Sequence, residues 1–230
     1  MSMNKLKLFS ALAVITLAAV EVSAKSGIEA GYVNTRYNVS GESPALTSSA
    51  LNGFYVGVSD DIRLVAGLGL RIGLNYSYTT DKSARSIFDD MSMKGGAEKD
   101  HYLNVPLRLR YTFNIVPKVL KIQAYAGPVF SVGLSHTYSY DFADGSLKYN
   151  YYTGKFKSDA LDEEDTQHLG LPQYKRFDVT VGGGIGVELF NFLELKVGYD
   201  WGVTDRFKGD IAQSATCNRD MFYAAVGFRF

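Results

Sequence analysis

Apolar and other side chains alternate with a period of two along much of the chain. Near the C-terminus every second residue is apolar: Phe222, Ala224, Val226, Phe228 and Phe230. The intervening side chains include charged and small ones: Tyr223, Ala225, Gly227 and Arg229. Because successive side chains of an extended strand point to opposite sides, this pattern predicts a β-strand with one apolar face. The terminal aromatic residue resembles the C-terminal signature read by the barrel-assembly machinery.

The same alternation recurs in seven earlier segments. They lie near residues 27–38, 51–59, 67–78, 102–113, 120–134, 177–189 and 193–201. Together with the last segment they predict eight strands, and single-chain bacterial outer-membrane barrels have an even number of strands.

The lengths of the connections show which kind of β-protein this is. Short connections are predicted at 60–62, 114–118 and 191–192, and they alternate with long polar ones at 39–50, 80–100, 140–175 and 206–219. All short connections therefore fall on one side, as in barrels with short periplasmic turns and long extracellular loops. A soluble sandwich also alternates along its strands, but it has no reason to sort its loops in this way. We predict an all-β fold, an eight-stranded antiparallel up-and-down transmembrane β-barrel.

The N-terminal segment predicts export. Lys5 and Lys7 precede an apolar run, 8–20, that is too short to span a membrane, and the small residues at 22–24 form a cleavage site. Residues 1–24 are therefore predicted to be a signal peptide, and residues 25–230 the barrel domain, located in the outer membrane. Positive and negative side chains both number 24, which favours no nucleic-acid partner. The single cysteine, Cys217, cannot form an internal disulfide, and we assign it no role.

The faces opposite the apolar ones carry many charges. These side chains are Glu29, Arg71, Arg108, Arg110, Lys121, Glu188, Glu194, Lys196, Asp200 and Arg229. A barrel of about eight strands has an interior only wide enough for side chains to fill it, and buried charges are tolerated when they are paired. The pattern therefore predicts a structural charge network that fills the lumen. A narrow conduit lined by the same charges is the alternative.

Two neighbouring segments resemble a known family. Residues 102–113 read YLNVPLRLRYTF, and residues 124–130 read AYAGPVF. This pair is similar to the central hairpin of the PorT-like outer-membrane β-barrel proteins of Bacteroidota, which has the pattern Y-L-x-[IV]-P-L-x-x-[KR]-Y-x-F and then a strand with A-G-P. The resemblance implies an outer-membrane barrel similar in architecture to OmpX and the OmpA barrel. It implies no single activity, although PorT itself is tied to protein secretion.

Catalytic groups were sought among the histidines. Ser135 and His136 are adjacent on a predicted strand and therefore face opposite sides, so they cannot form a nucleophile–base pair directly, and parity predicts that His136 faces lipid. The residue types of an aspartate–histidine protease also occur together, at Asp89, Asp90, Asp100 and His101. These lie in or beside one loop, and we predict no catalytic site, metal or cofactor.

The predicted loop 140–175 carries two further patterns. Its acidic run, residues 159–165, is typical of a solvated loop, and divalent-cation binding is the alternative. Its aromatic residues alternate with polar ones, which predicts a β-ribbon above the membrane whose edge can recruit another chain by strand addition.

Three functions follow, in order of preference. The first is a filled barrel that acts as a structural or surface-interaction protein, in adhesion or secretion. The second is a narrow channel for small solutes, and the third is a lipid-modifying or proteolytic enzyme of the outer membrane. The expected partners are outer-membrane lipid and lipopolysaccharide, the barrel-assembly machinery, and an extracellular or secretion-system protein. The predicted assembly signal comprises Phe222, Phe228 and Phe230.

Overall fold

The computed structural model describes residues 25–41, 49–84, 94–142, 145–158, 172–209 and 215–230. Three sequence predictions lie outside these ranges: the signal peptide at 1–24, the pair Asp89 and Asp90, and the acidic run at 159–165. Among the described residues, no helix has the length and apolarity needed to cross a membrane.

Eight antiparallel strands form a closed ring. They are β1 (Lys25–Gly41), β2 (Ser49–Arg63), β3 (Leu68–Ala84), β4 (Lys94–Val116), β5 (Leu120–Phe142), β9 (Phe177–Leu189), β10 (Leu193–Gly202) and β12 (Ala215–Arg229). Each pairs with the next ring strand along the chain, and β1 closes the ring by pairing with β12. The predicted all-β, antiparallel, up-and-down arrangement is confirmed.

The two-residue period sorts side chains between the outside and the inside of the ring. Along β9, β10 and β12, for example, Ile185, Leu195 and Val226 are exposed on the outside, whereas Glu194 and Asp200 are buried inside. A soluble sheet protein places its apolar faces inward, so this distribution is inverted. The ring therefore has an apolar outer belt, which follows from the alternation of side chains along its strands, and its backbone groups pair between neighbouring strands.

The first short turn lies later than the sequence analysis placed it. Strand β2 continues through residues 60–62 to Arg63, and the turn spans Leu64–Gly67, where Ala66 and Gly67 both have positive φ. The prediction at 60–62 was wrong because Asp60 and Asp61 look like turn residues. Asp61 instead lies opposite Arg71 in the ladder and points into the ring.

At the other end, the sheet extends beyond the ring. Strands β4 and β5 have 23 residues each, about twice the 9–11 that a membrane-spanning strand needs. The far end of β5 pairs with β6 (Gly145–Asn150), which pairs with β7 (Lys155–Ser158). Two further short strands, β8 (Gln173–Tyr174) and β11 (Phe207–Lys208), form a separate small sheet. The segments 39–50, 80–100, 140–175 and 206–219 were predicted as loops, and each contains strand residues.

A β-bulge in β5 changes which side chains face inward. His101 lies opposite Ser135, but Tyr102 lies opposite Gly133, so Leu134 is an extra residue. A bulge of this kind shifts the alternation by one position. As a result Leu134 is exposed outside, and His136 is completely buried inside. The prediction that His136 faces lipid was therefore wrong.

Candidate functional site

The inside of the ring is the candidate site, and its layer nearest the short turns is built from ion pairs. Glu194 accepts hydrogen bonds from Arg71 Nη1 at 2.7 Å and from Arg229 Nε at 2.6 Å. Asp61 accepts two hydrogen bonds from Arg71, of 2.6 and 2.9 Å. Its Oδ2 also lies 3.2 Å from Arg110 Nη1. Such bidentate and shared pairs are the stronger kind of charged hydrogen bond.

The remaining charges of this layer form two smaller groups. Lys196 Nζ lies 2.7 Å from Glu29 Oε2. Glu188 Oε1 is shared by Lys25 Nζ at 2.6 Å and Lys121 Nζ at 3.1 Å. All the inward charges predicted for this end of the strands therefore come together inside the ring.

The middle of the ring is closed by one ion pair and contains one small cavity. Arg108 Nη2 donates to both carboxylate oxygens of Asp200, at 2.7 and 2.6 Å. Gly182 permits this approach, because a Cβ there would lie 2.5 Å from Asp200 Oδ1. The cavity, about 50 Å³, is lined in part by Tyr55 and Tyr223. It has room for a few water molecules, whereas ligand pockets begin at about 300 Å³.

A second ion pair fills the layer above. Arg219 Nε donates to Asp178 Oδ2 at 2.7 Å, and Arg219 Nη2 donates to Ser131 Oγ at 2.8 Å. The guanidinium also lies over the ring of Tyr102, 3.9 Å from its centroid. All of these side chains are buried, so the layer is closed to solvent.

The long-loop end of the ring is filled by a cation held between aromatic rings. Arg206 is completely buried, and its guanidinium carbon lies 4.8 Å from the ring centroids of Tyr37 and Tyr174 and 5.4 Å from that of Tyr102. Its Nη2 lies 3.5 Å from Tyr152 Oη, and its Nε and Nη1 find no acceptor among the described residues. Cation–π contacts therefore replace the carboxylates used elsewhere in the ring.

The loop backbone fixes this arrangement, which we call the aromatic plug (Tyr37, Tyr102, Tyr152, Tyr174, Arg206, Phe207). Arg206 N donates to Cys217 O at 2.9 Å, and Arg206 O accepts from Lys175 N at 2.7 Å. Phe207 is completely buried beside Tyr174. Burial raises the pKa of the Cys217 thiol and that of the Tyr152 phenol to about 12 each, because both lose hydration.

His136 lies against the plug, beside the rings of Tyr151 and Tyr174. Its Nε2 is 2.6 Å from Glu98 Oε1, and its Nδ1 is 3.9 Å from Asp100 Oδ1. Asp100 accepts a hydrogen bond from the hydroxyl of Tyr37. His101 faces away from this cluster and contacts Tyr76 at 2.6 Å, so the structure separates Asp100 and His101. The described residues contain no cluster of three or more potential metal-ligating side chains.

Several interior side chains escaped the sequence analysis. Asp61, Asp178, Arg206 and Arg219 complete the network, and Gln123 links Arg110 to Glu188. Continuing the alternation of β12 backward from Tyr223 would have placed Arg219 inside. No local pattern marks Arg206, because it lies outside the ring strands.

Comparison with known families identifies the class of the chain. A family model described as "outer membrane protein beta-barrel domain" matches residues 18–208. The chain belongs to this family. Comparison with curated proteins finds no match. The outer-membrane barrel class stated at the sequence level is confirmed, and membership of the PorT-like group stays a prediction.

Solved structures of outer-membrane barrel proteins have a similar fold. OprG from Pseudomonas aeruginosa is 8% identical, with 91% of this chain and 97% of OprG covered at a TM-score of 0.50. Ail of Yersinia pestis, crystallised with the heparin analogue sucrose octasulfate, is 12% identical, with 90% and 99% covered and a TM-score of 0.45. Neisserial surface protein A is 14% identical, with 89% and 97% covered and a TM-score of 0.45. At these identities the likeness concerns the fold alone.

Proposed function

We propose that this outer-membrane β-barrel protein spans the membrane with a closed lumen and acts as a structural or surface-interaction protein, in adhesion or secretion. The observation that supports a closed lumen is the succession of filled layers inside the ring. Arg108 with Asp200, Arg219 with Asp178, and the aromatic plug follow one another from the middle of the ring to the long-loop end. The apolar outer belt supports insertion in lipid, since only closed rings of strands satisfy their backbone there.

The projecting part of the sheet supports the surface role. Strands β6 and β7 lie beyond the ring, and within the described chain β7 has one unpaired edge. Tyr149 of β6 packs against Phe156 of β7, with ring centroids 4.6 Å apart. A supported strand with a free edge is suited to pairing with an extended segment of another protein. Secretion-system or extracellular proteins are the proposed partners.

Planar-bilayer conductance tests the closed lumen. We expect no unitary steps from the refolded protein, provided that the sample shows heat-modifiable migration on a gel. Unitary conductance steps whose size changes in Arg108→Ala would contradict the closed lumen and favour a narrow channel. The third function, an enzyme, would require turnover of lipid or peptide that is lost when His101 is replaced.

Aggregation of cells that produce the protein tests the projecting edge. Replacing Lys155–Ser158 by Gly-Ser-Gly-Ser disrupts β7 and leaves Tyr152 of the aromatic plug in place, and we expect cell–cell adherence to be lost while the ring still folds. The matched control changes Lys148, Lys155 and Lys157 to Gln, which keeps the edge and removes charge. If this control loses adherence equally, the contact depends on charge and not on strand addition.

Assembly and lipid contacts complete the proposal. The exposed aromatic side chains of Phe222, Phe228 and Phe230 near the chain end are the proposed signal for the barrel-assembly machinery. Outer-membrane lipid and lipopolysaccharide would contact the apolar belt. Phe230→Ser is expected to slow assembly in cells, and Phe190→Ser, which also replaces an exposed aromatic side chain but in a turn, is the control. Equal assembly rates for the two variants would show that Phe230 does not act as an assembly signal.

A further inference from the structure

The short-turn end of the ring opens into a vestibule of about 880 Å³ that is unusually cationic. Its lining side chains include six cationic ones: Lys25, Arg63, Arg110, Lys118, Lys121 and Arg229. Glu188 is the one acidic side chain in this lining, and two of the lysines already share it. The vestibule therefore carries a clear excess of positive charge.

The ion-pair layer just inside the vestibule shares four of these cations and also contains more cations than carboxylates. Its cations are Lys25, Arg71, Arg110, Lys121, Lys196 and Arg229, and the carboxylates that they contact are Glu29, Asp61, Glu188 and Glu194. Six positive charges thus share four negative ones. Buried charge in excess of its partners is costly, so an anion that supplied the missing acceptor oxygens would stabilise the layer.

Arg110 is the one cation of this layer with a buried nitrogen that finds no acceptor among the described residues. Its side chain is 7% exposed, it lies in the wall of the vestibule, and its Nε finds no acceptor among the described residues. Two residues further along β4, Thr112 Oγ1 is also buried without a partner and lies in the same wall. Lys121 enters from the neighbouring strand β5. Donors from two strands therefore converge here with too few acceptors.

We propose that this vestibule binds a small oxyanion of the phosphate type. It would be held by Arg110 and Lys121 and by the exposed cations at the rim, Arg63 and Lys118. A phosphate group supplies several acceptor oxygens and up to two negative charges, which matches the excess of donors and of positive charge. Guanidinium and ammonium groups are the usual protein ligands for it. The inference rests on the vestibule alone and does not depend on the proposed surface role.

Two substitutions remove a donor without leaving a carboxylate unpaired. In Arg110→Gln, Asp61 keeps its two hydrogen bonds from Arg71. In Lys121→Gln, Glu188 keeps Lys25. Without phosphate, both variants should therefore be as stable as the parent or more so. If the arginine and lysine serve only the fold, phosphate should affect parent and variants alike.

The experiment is calorimetric titration of the folded full chain, in a phosphate-free detergent, with inorganic phosphate against sodium chloride at equal ionic strength. We expect one saturable phosphate site, weakened about tenfold or more in Arg110→Gln and several-fold in Lys121→Gln, since one charge-assisted hydrogen bond is worth about a factor of ten. Lys99→Gln, an exposed lysine of β4 at the far end, is the matched control and should bind normally. Equal responses to phosphate and chloride, or equal binding by Arg110→Gln and Lys99→Gln, would overturn the proposal.

A rim variant keeps the test decisive if Arg110→Gln fails to fold. Lys118 lies in an exposed turn with φ of 64°, a conformation that asparagine accepts readily. Lys118→Asn is therefore expected to fold normally and to weaken phosphate binding several-fold. Unchanged binding in this variant would exclude the rim from the site.

Discussion

The two ends of the ring neutralise buried arginines in different ways. At the short-turn end, Arg71 and Arg229 are paired with carboxylates on neighbouring or facing strands. At the long-loop end, Arg206 is held between tyrosine rings and has no carboxylate within ion-pair distance among the described residues. One end is a network in which each partner depends on the others, and the other end is a packed plug.

This difference determines what each arginine contributes. Removing one partner of a buried ion pair leaves a charge without compensation and is strongly destabilising. Removing the caged cation breaks no direct ion pair among the described residues, so the cost is mainly that of the lost packing and cation–π contacts. Substitutions that keep volume but remove charge should therefore separate the two ends.

The largest effect is expected at the isolated pair of Arg108 and Asp200. Arg108→Met leaves the Asp200 carboxylate buried and unpaired, and it should lower the free energy of unfolding by about 3–5 kcal/mol. Urea titration of the refolded barrel in lipid vesicles measures this. The double variant Arg108→Met with Asp200→Leu should recover most of the loss, and Lys99→Met is the exposed control. A loss below about 1 kcal/mol in the single variant would contradict the ion-pair account.

The single cysteine reports on the closure of the plug. Burial raises the pKa of Cys217 from 9.0 to about 12, so at pH 8 the reactive thiolate should be about a thousandfold rarer than in the unfolded chain. Because the folded pKa is the higher one, the stability linked to this thiol is complete below about pH 9 and is lost as the pH rises towards 12. Iodoacetamide labelling from pH 7 to 10, in the folded and in the urea-unfolded chain, measures the reactive thiolate, and urea titration at pH 8 and pH 10 measures the linked stability. Equal labelling rates at pH 8 would show an open plug.

Truncating the caged arginine should open that plug. Arg206→Ala removes three cation–π contacts and leaves a cavity, which is expected to cost about 2–3 kcal/mol and to speed Cys217 labelling by roughly 30-fold to 150-fold. Lys208→Ala, an exposed residue of the same loop, should leave the rate unchanged. If the two variants label equally fast, Arg206 does not hold the plug closed.

The smallest effect is expected when charge alone is removed from the cage. Arg206→Met keeps an unbranched apolar side chain between the tyrosines and breaks no direct ion pair among the described residues, so the free energy of unfolding should change by about 1 kcal/mol or less. The same urea titration compares this variant directly with Arg108→Met. Similar losses in the two would mean that the ends of the ring are stabilised alike.

The regular part of the fold was accessible from the sequence. Alternation placed Arg71, Arg108 and Glu194 inside and Leu195 and Val226 outside, since a strand with an unbroken period of two has only two possible phases. The prediction failed at two places for different reasons. At the first turn, Asp61 was mistaken for a loop residue, and in β5 the extra residue Leu134 reversed the phase for His136.

By itself, the sequence determined that the chain forms antiparallel strands, which faces of those strands are apolar, and which ends carry the short turns. These are local properties, because periodicity and turn lengths act between near neighbours. Only the tertiary structure decided that Arg206 enters the ring beside Tyr37, more than 160 residues earlier in the chain, and that six cations share four carboxylates at the other end. Closing the ring brings these residues together, and no local pattern encodes a contact between strands that are far apart in sequence.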